Sequence, residues 1–162
     1  MATKRSSFKP ASESLGFLLA DTTRLMRRVS AIYLEEHQIT VAQMRALIYV
    51  GRREGIRQVE LADLLEIQPI TLARLIDQLS KSGLVERRSD PKDRRAFQLY
   101  LTDAAAPLIA FIGERSERFQ QQAFEGLTAD QIETFFISLN KVHNNLSALL
   151  RNPQHLRDGA HS

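Results

Sequence analysis

The sequence predicts a mainly α fold with a small β component, in the α+β sense. Three observations carry that prediction. Apolar residues recur at steps of three and four through long stretches at both ends of the chain. Two short helical segments meet at a turn around Ile67-Gln68, and the second opens on Pro69. From Gly83 to Thr102 the apolar period falls to two on either side of Asp90-Pro91.

The elements follow in order. Residues 1–11 are basic and polar and are expected to form a flexible arm. From Ser12 to Glu36, Leu15, Leu18, Thr22, Leu25, Val29 and Ile32 keep the helical step, with Arg24, Arg27 and Arg28 on the polar face. This helix and the turn at His37–Ile39 make a first segment, residues 12–38. Thr40 suits the N-cap of a helix running to Val50, and Gly51 and Gly55 are expected to break it. A short helix fits Val59–Glu66, with Leu61, Ala62, Leu64 and Leu65 inward.

Pro69 then suits the first turn of the next helix, and Gly83 the position just past its end. Two short helices joined tightly, the second Gly-capped, make a helix-turn-helix. The run LVERRS reads as a strand, DPKD as a turn and AFQLYL as the returning strand, with Phe97, Leu99 and Leu101 on one face. A hairpin directly after a helix-turn-helix is the layout of a winged helix, here over residues 39–102. Residues 103–151 hold two more long helices. The first starts near Asp103 and runs past Phe119 and Phe124, with Pro107 in its opening turn. The second is capped by Thr128 with Gln131 three residues on. Residues 152–162 form a polar, frayed tail.

Composition narrows the function classes. The chain has 162 residues, about one domain's worth, and a net charge of +3. The cations are unevenly placed: residues 1–10 carry +3 and residues 51–100 carry +2, whereas residues 101–162 carry −2. That distribution leans toward a polyanion partner. The absence of cysteine removes disulfides, thiolate metal sites and thiol redox sensing, and is compatible with a cytoplasmic protein. No apolar run approaches the ~18 residues of a membrane span, and no signal peptide opens the chain. No metal-ligand cluster stands out among the four histidines. There is no P-loop, GxSxG, HExxH or dinucleotide-binding glycine pattern, so neither enzyme chemistry nor a cofactor is expected.

The middle of the chain carries the chemistry. On the helix after Pro69, Leu72, Leu75, Ile76 and Leu79 take the inward face. Arg74 then falls on the outer face, flanked by Ile70 and Gln78. An α-helix fits the major groove of DNA, and arginine can donate two hydrogen bonds to guanine. Gln68, Pro69 and Thr71 sit at the end where backbone N–H groups can meet a phosphate. A solvated surface arginine is the bland reading of Arg74 alone. The hairpin changes the balance: Arg87, Arg88, Lys92, Arg94 and Arg95 crowd around its turn, and an arginine-tipped ribbon can enter a narrow minor groove. Asp93 stands among them, placed to neutralise or orient one guanidinium.

With these residues in view, the chain resembles the MarR/SlyA family of winged-helix transcriptional regulators. That family's wing pattern, Asp-any-Arg followed by five residues and Leu-Thr, is matched by Asp93, Arg95, Leu101 and Thr102. The helix-turn-helix run from Val59 through Gly83-Leu84-Val85-Glu86-Arg87 is similar as well. The resemblance spans about Leu15 to Leu150. It implies an obligate homodimer, built from the first, fifth and sixth helices, on a pseudo-palindromic operator in double-stranded DNA.

Carried over by position, Arg95 becomes a minor-groove arginine and Arg74 a major-groove reader. Gln68, Pro69, Ile70, Thr71 and Gln78 lie around that reader, and Arg88, Lys92, Asp93 and Arg94 complete the wing. Asp77 is expected to pair with an arginine such as Arg87. The resemblance also implies a repressor released by a small aromatic carboxylate, for which Arg24, Arg27 and Arg45 are the cations near the junction of the terminal helices and the winged lobe. Each of the three also reads as an ordinary surface or ion-pairing residue.

Two alternatives stay open at this level. The long helices carry more Leu, Ile and Phe than one small lobe can cover, so they either pack within a monomer or interlock with a second copy. The winged helix itself can serve protein contacts, or an architectural role in which it displaces nucleoid proteins.

Overall fold

The computed structural model describes residues 14–91, 93 and 96–151; the arm at 1–11 and the tail at 152–162 lie outside them. The chain forms two compact units, one ending at Glu117 and the second beginning at Arg118.

In the first unit, α1 (Leu15–Leu34) starts where Ser14 Oγ accepts the Phe17 N–H at 3.1 Å. Leu34 is the buried residue of this helix, at its last position. A single 3-10 turn over Glu35–His37 follows. Helix α2 (Val41–Arg52) opens with a full capping box: Thr40 Oγ1 accepts the Gln43 N–H, and Gln43 Oε1 accepts the Thr40 N–H. Gly51 does not break α2, which runs through it. A Cβ there would meet Leu101 Cδ1 at 3.0 Å, so the glycine lets the helix lie close to the hairpin. Gly55 is the true break, at φ +78°.

A strand absent from the sequence reading, β1 (Ile56–Arg57), comes next. Two residues are too short to show an alternating period, and only pairing defines them. Helices α3 (Gln58–Leu65) and α4 (Pro69–Lys81) follow, then β2 (Val85–Ser89) and β3 (Phe97–Leu101). The sheet is antiparallel in the order β1-β3-β2, with Ile56 opposite Leu99 and Val85 opposite Leu101.

Helices α3 and α4 end alike. Ile67 N–H reaches Ala62 O while Glu66 N–H reaches Asp63 O, and Leu84 N–H reaches Leu79 O while Gly83 N–H reaches Ser80 O. Both are Schellman closures, which need a left-handed residue. Gly83 supplies it at φ +72°, and Glu66 at φ 57°. The core beneath joins Leu47 and Val50 of α2, Leu61 of α3, Ile76 and Leu79 of α4, and Leu99 of β3. Leu99 is fully buried, but Phe97, expected on the same inward face, is 44% exposed because it lies at the free end of the hairpin.

Asp103–Ala105 form a 3-10 turn before α5 (Ala106–Ala123), so the long helix begins three residues later than expected and ends short of Phe124. Pro107 sits in its first turn, where no intrahelical donor is lost. In the second unit, α6 (Ala129–Arg151) starts at the expected capping box of Thr128 and Gln131. Phe124, Phe135 and Phe136 form a triad of edge-on rings with centroids 5.6–5.9 Å apart. Among the described residues of α6 none is buried, and Phe135, Leu146 and Leu150 stand well exposed.

Candidate nucleic-acid interface

Helix α4 is strongly two-faced. Leu72, Leu75, Ile76 and Leu79 are buried, and Gln68, Pro69, Ile70, Thr71, Arg74 and Gln78 are exposed. The Pro69 ring fits the first turn, where its missing N–H costs nothing. Thr71, Arg74 and Gln78 line an open depression of about 250 Å³ together with Thr40 and Gln43 of the α2 start. Arg74 makes no hydrogen bond or ion pair with a described residue. Gln78 differs: its Oε1 accepts a hydrogen bond from Gln43 Nε2 at 3.2 Å.

The hairpin is fastened to this helix and to β1. Arg87 Nη2 meets Asp77 Oδ1 at 2.6 Å, the pairing expected from the sequence, and Thr102 Oγ1 donates to Gly83 O. At the far end, Asp90 N–H donates to Ala96 O at 3.0 Å, Asp93 N–H to Asp90 O, and Ala96 N–H to Asp93 O. The Asp90 side chain is 1% exposed, and its Oδ2 lies 2.6 Å from Arg57 Nε. That hydrogen bond raises the affinity of Arg57 for its proton, and the charge of Asp90 adds to it, with lesser help from Asp93 and Glu60. Asp93 is exposed, and its charge acts on Arg57.

Arg88 is occupied in this conformation. Its Nε and Nη2 share Glu86 Oε1, and its guanidinium carbon lies 4.1 Å from the Tyr100 ring centroid. Lys92, Arg94 and Arg95 lie outside the described residues. Two of the junction arginines have partners of their own. Arg24 pairs with Asp21 at 2.7 Å on its own helix, Arg45 Nη2 reaches Leu64 O at 3.4 Å, and Arg27 is exposed. A second cavity in the first unit, about 430 Å³, is lined by His37, Gln38, Gln43 and Ser82 among polar groups, and by none of these three arginines. Among the described residues there is no group of three or more side chains fit to hold a metal ion, and no helix long and apolar enough to cross a membrane.

Sequence reasoning missed Arg57, Asp90 and Gln43. Asp90 read as a turn residue before proline, which is a local signal; its burial depends on β1, which had none. Gln43 stands three residues after Thr40, the spacing of a capping box, so that half of its role was open to inspection. Its reach to Gln78, 35 residues away, was not.

Comparison with known proteins adds the last finding. The MarR family model matches residues 39–97, which is the helix-turn-helix and most of the hairpin. Wild-type MarR from E. coli in its apo form is 30% identical, with a TM-score of 0.72, over 80% of this chain and 96% of that one. A mutant MarR from E. coli complexed with operator DNA is 30% identical, with a TM-score of 0.67, over 79% and 92%. The transcriptional regulator SlyA is 25% identical, with a TM-score of 0.69, over 80% and 92%.

Proposed function

The chain belongs to the MarR family of winged-helix transcriptional regulators, whose members are not enzymes, and from that premise we propose that it binds DNA sequence-specifically as a homodimer. The observation that carries this reading is the outer face of α4, where Thr71, Arg74 and Gln78 open to solvent around one depression while the opposite face is buried. A helix so divided can enter the major groove without exposing the core. The likeness to a relative solved with operator DNA supports DNA as the partner.

Dimerisation follows from unspent apolar surface. Helix α1 exposes Leu18, Leu25 and Ile32, and α6 exposes Phe135, Leu146 and Leu150, all at helical spacing. Runs of this kind on a long helix are more than a monomer leaves in water, and a twofold partner would cover them. A dimer presents two copies of α4, so its operator is a pseudo-palindrome with half-sites about one helical turn apart.

In this reading the protein is a repressor, and a small aromatic carboxylate releases it from DNA. Arg27 makes no ion pair with a described residue and is the cation of the expected set most open to such a ligand.

Selection of bound duplexes from a random-sequence pool tests the proposal. At ~150 mM salt, where phosphate-only binding is weak, an inverted repeat should emerge. Recovery of no enriched sequence would refute it.

A further inference from the structure

Helix α4 carries one apolar residue that its packing does not use. Leu72, Leu75, Ile76 and Leu79 are all buried, yet Ile70 is 64% exposed. A single exposed isoleucine is common and by itself means little. Its position gives it weight. Ile70, Arg74 and Gln78 are spaced four apart and therefore share one face of the helix. Of the three, Ile70 and Arg74 have no polar or ionic partner among the described residues, whereas Gln78 is held by Gln43.

Resting on the regulator reading above, we infer that Ile70 recognises the methyl group of a thymine beside a guanine read by Arg74, and that Gln43 withholds Gln78 from base contact. The chemistry is selective at each position. A branched apolar side chain has nothing to offer the polar edges of guanine, cytosine or adenine, but it can exclude water from the thymine methyl in the major groove. Arg74 can donate two hydrogen bonds to guanine O6 and N7. A glutamine free at position 78 would pair with adenine N6 and N7, which requires both its donor and its acceptor. Here one lone pair of Oε1 already accepts from Gln43, and that bond anchors the amide to the start of α2.

The geometry also limits the spacing. Four helical residues rise about 6 Å. Base pairs rise about 3.4 Å along the duplex. The thymine and the guanine are therefore expected about two base pairs apart in each half-site.

The test compares the full-length wild type with Ile70→Ala and Gln43→Ala in the random-pool selection. The wild type should recover an inverted repeat containing that thymine–guanine pair. Ile70→Ala should keep the repeat and the guanine and lose the thymine. Gln43→Ala should gain an adenine preference at a further position, on the side of the guanine away from the thymine. A second measurement needs no variant: deoxyuridine in place of the thymine removes only the methyl. It should weaken wild-type binding about fourfold, the value of one buried methyl, and leave Ile70→Ala unaffected.

An inverted repeat whose thymines survive Ile70→Ala, or whose deoxyuridine form binds as well, would overturn the inference and leave the regulator reading standing. An adenine preference already present in the wild type at the further position would overturn the part assigned to Gln43. Recovery of no repeat at all would overturn both readings together.

Discussion

Arg57 and Asp90 are 33 residues apart in sequence and 2.6 Å apart in space, Nε to Oδ2, with the aspartate side chain 1% exposed. The contact ties the far end of the hairpin to the two-residue strand β1. A hairpin with both strands paired but its end untethered would pivot; this one is held at Arg57 and again where Arg87 meets Asp77. The wing's direction relative to α4 is thus set by two ion pairs of the first unit.

The two halves of the Arg57–Asp90 pair should respond unequally to mutation. Arg57→Gln takes the cation at 2.6 Å away from a buried carboxylate, whereas Asp90→Ala leaves an arginine that water can reach. The thermal midpoint should fall by roughly 5 °C for the first and about half that for the second, measured by circular dichroism. Arg57 has its pKa raised in the folded chain, so its contribution is complete below the ordinary arginine value and is lost only as pH rises through the folded one. The deficit of Arg57→Gln should therefore be the same at about pH 6 and about pH 9. A larger deficit for Asp90→Ala would contradict this account.

Glu66 occupies a left-handed position that its counterpart at the end of α4 gives to Gly83. Glu66→Gly should stabilise the chain by about 0.5–1 kcal/mol, since a side chain in that conformation crowds its own carbonyl. The midpoint of urea unfolding would move upward. A downward shift would mean that Glu66 contributes something its backbone conformation does not reveal.

Gly55→Ala should be costly. The position has φ +78°, and a Cβ there would lie 2.8 Å from Tyr100 Oη, which itself donates to Gln98 Oε1 at 2.9 Å. Backbone strain and displacement of the tyrosine together cost about 2–4 kcal/mol, readable by urea denaturation. Tyr100→Phe in the same chain should recover part of the loss.

For the proposed dimer, Leu25→Glu in α1 and Leu146→Glu in α6 each place a charge on an exposed apolar stripe. Either change should convert the dimer to monomer at about 10 μM in sedimentation equilibrium, because an unpaired charge buried at an interface costs several kcal/mol. Full dimerisation of both variants would place the interface elsewhere.

In the proposed function Arg94 and Arg95, which lie outside the described residues, act on DNA affinity through their charge. If each meets one phosphate, replacing both by alanine should lower the slope of log affinity against log salt by about 1.8. An unchanged slope would remove the wing from the interface and favour a protein partner for it.

Much of this architecture could be read from local pattern. The helical step from Leu15 to Ile32, Pro69 and Gly83 around α4, the drop to a period of two before Phe97, and the Thr128–Gln131 cap each depend on residues a few places apart. The buried face of α4 was likewise open to view, because a helix that packs on one side must repeat its apolar residues. Gly51 misled for an instructive reason. Glycine is a poor helix former, but here Leu101 of the hairpin comes so close that a Cβ would meet its Cδ1 at 3.0 Å, and close packing favours glycine over propensity.

What the sequence determined by itself was therefore the long elements (the six helices and the two hairpin strands), their order, and which side of α4 faces outward. What only the tertiary structure decided were the relations between distant residues: β1 pairing with β3, Asp90 buried under Arg57, and Gln43 reaching Gln78. Helix periods, caps and turns are set by interactions within a few residues, so they leave a mark in any short window. A strand of two residues, an ion pair across 33 positions and a hydrogen bond across 35 come into being when the core closes and brings those groups together. No local pattern records them in advance.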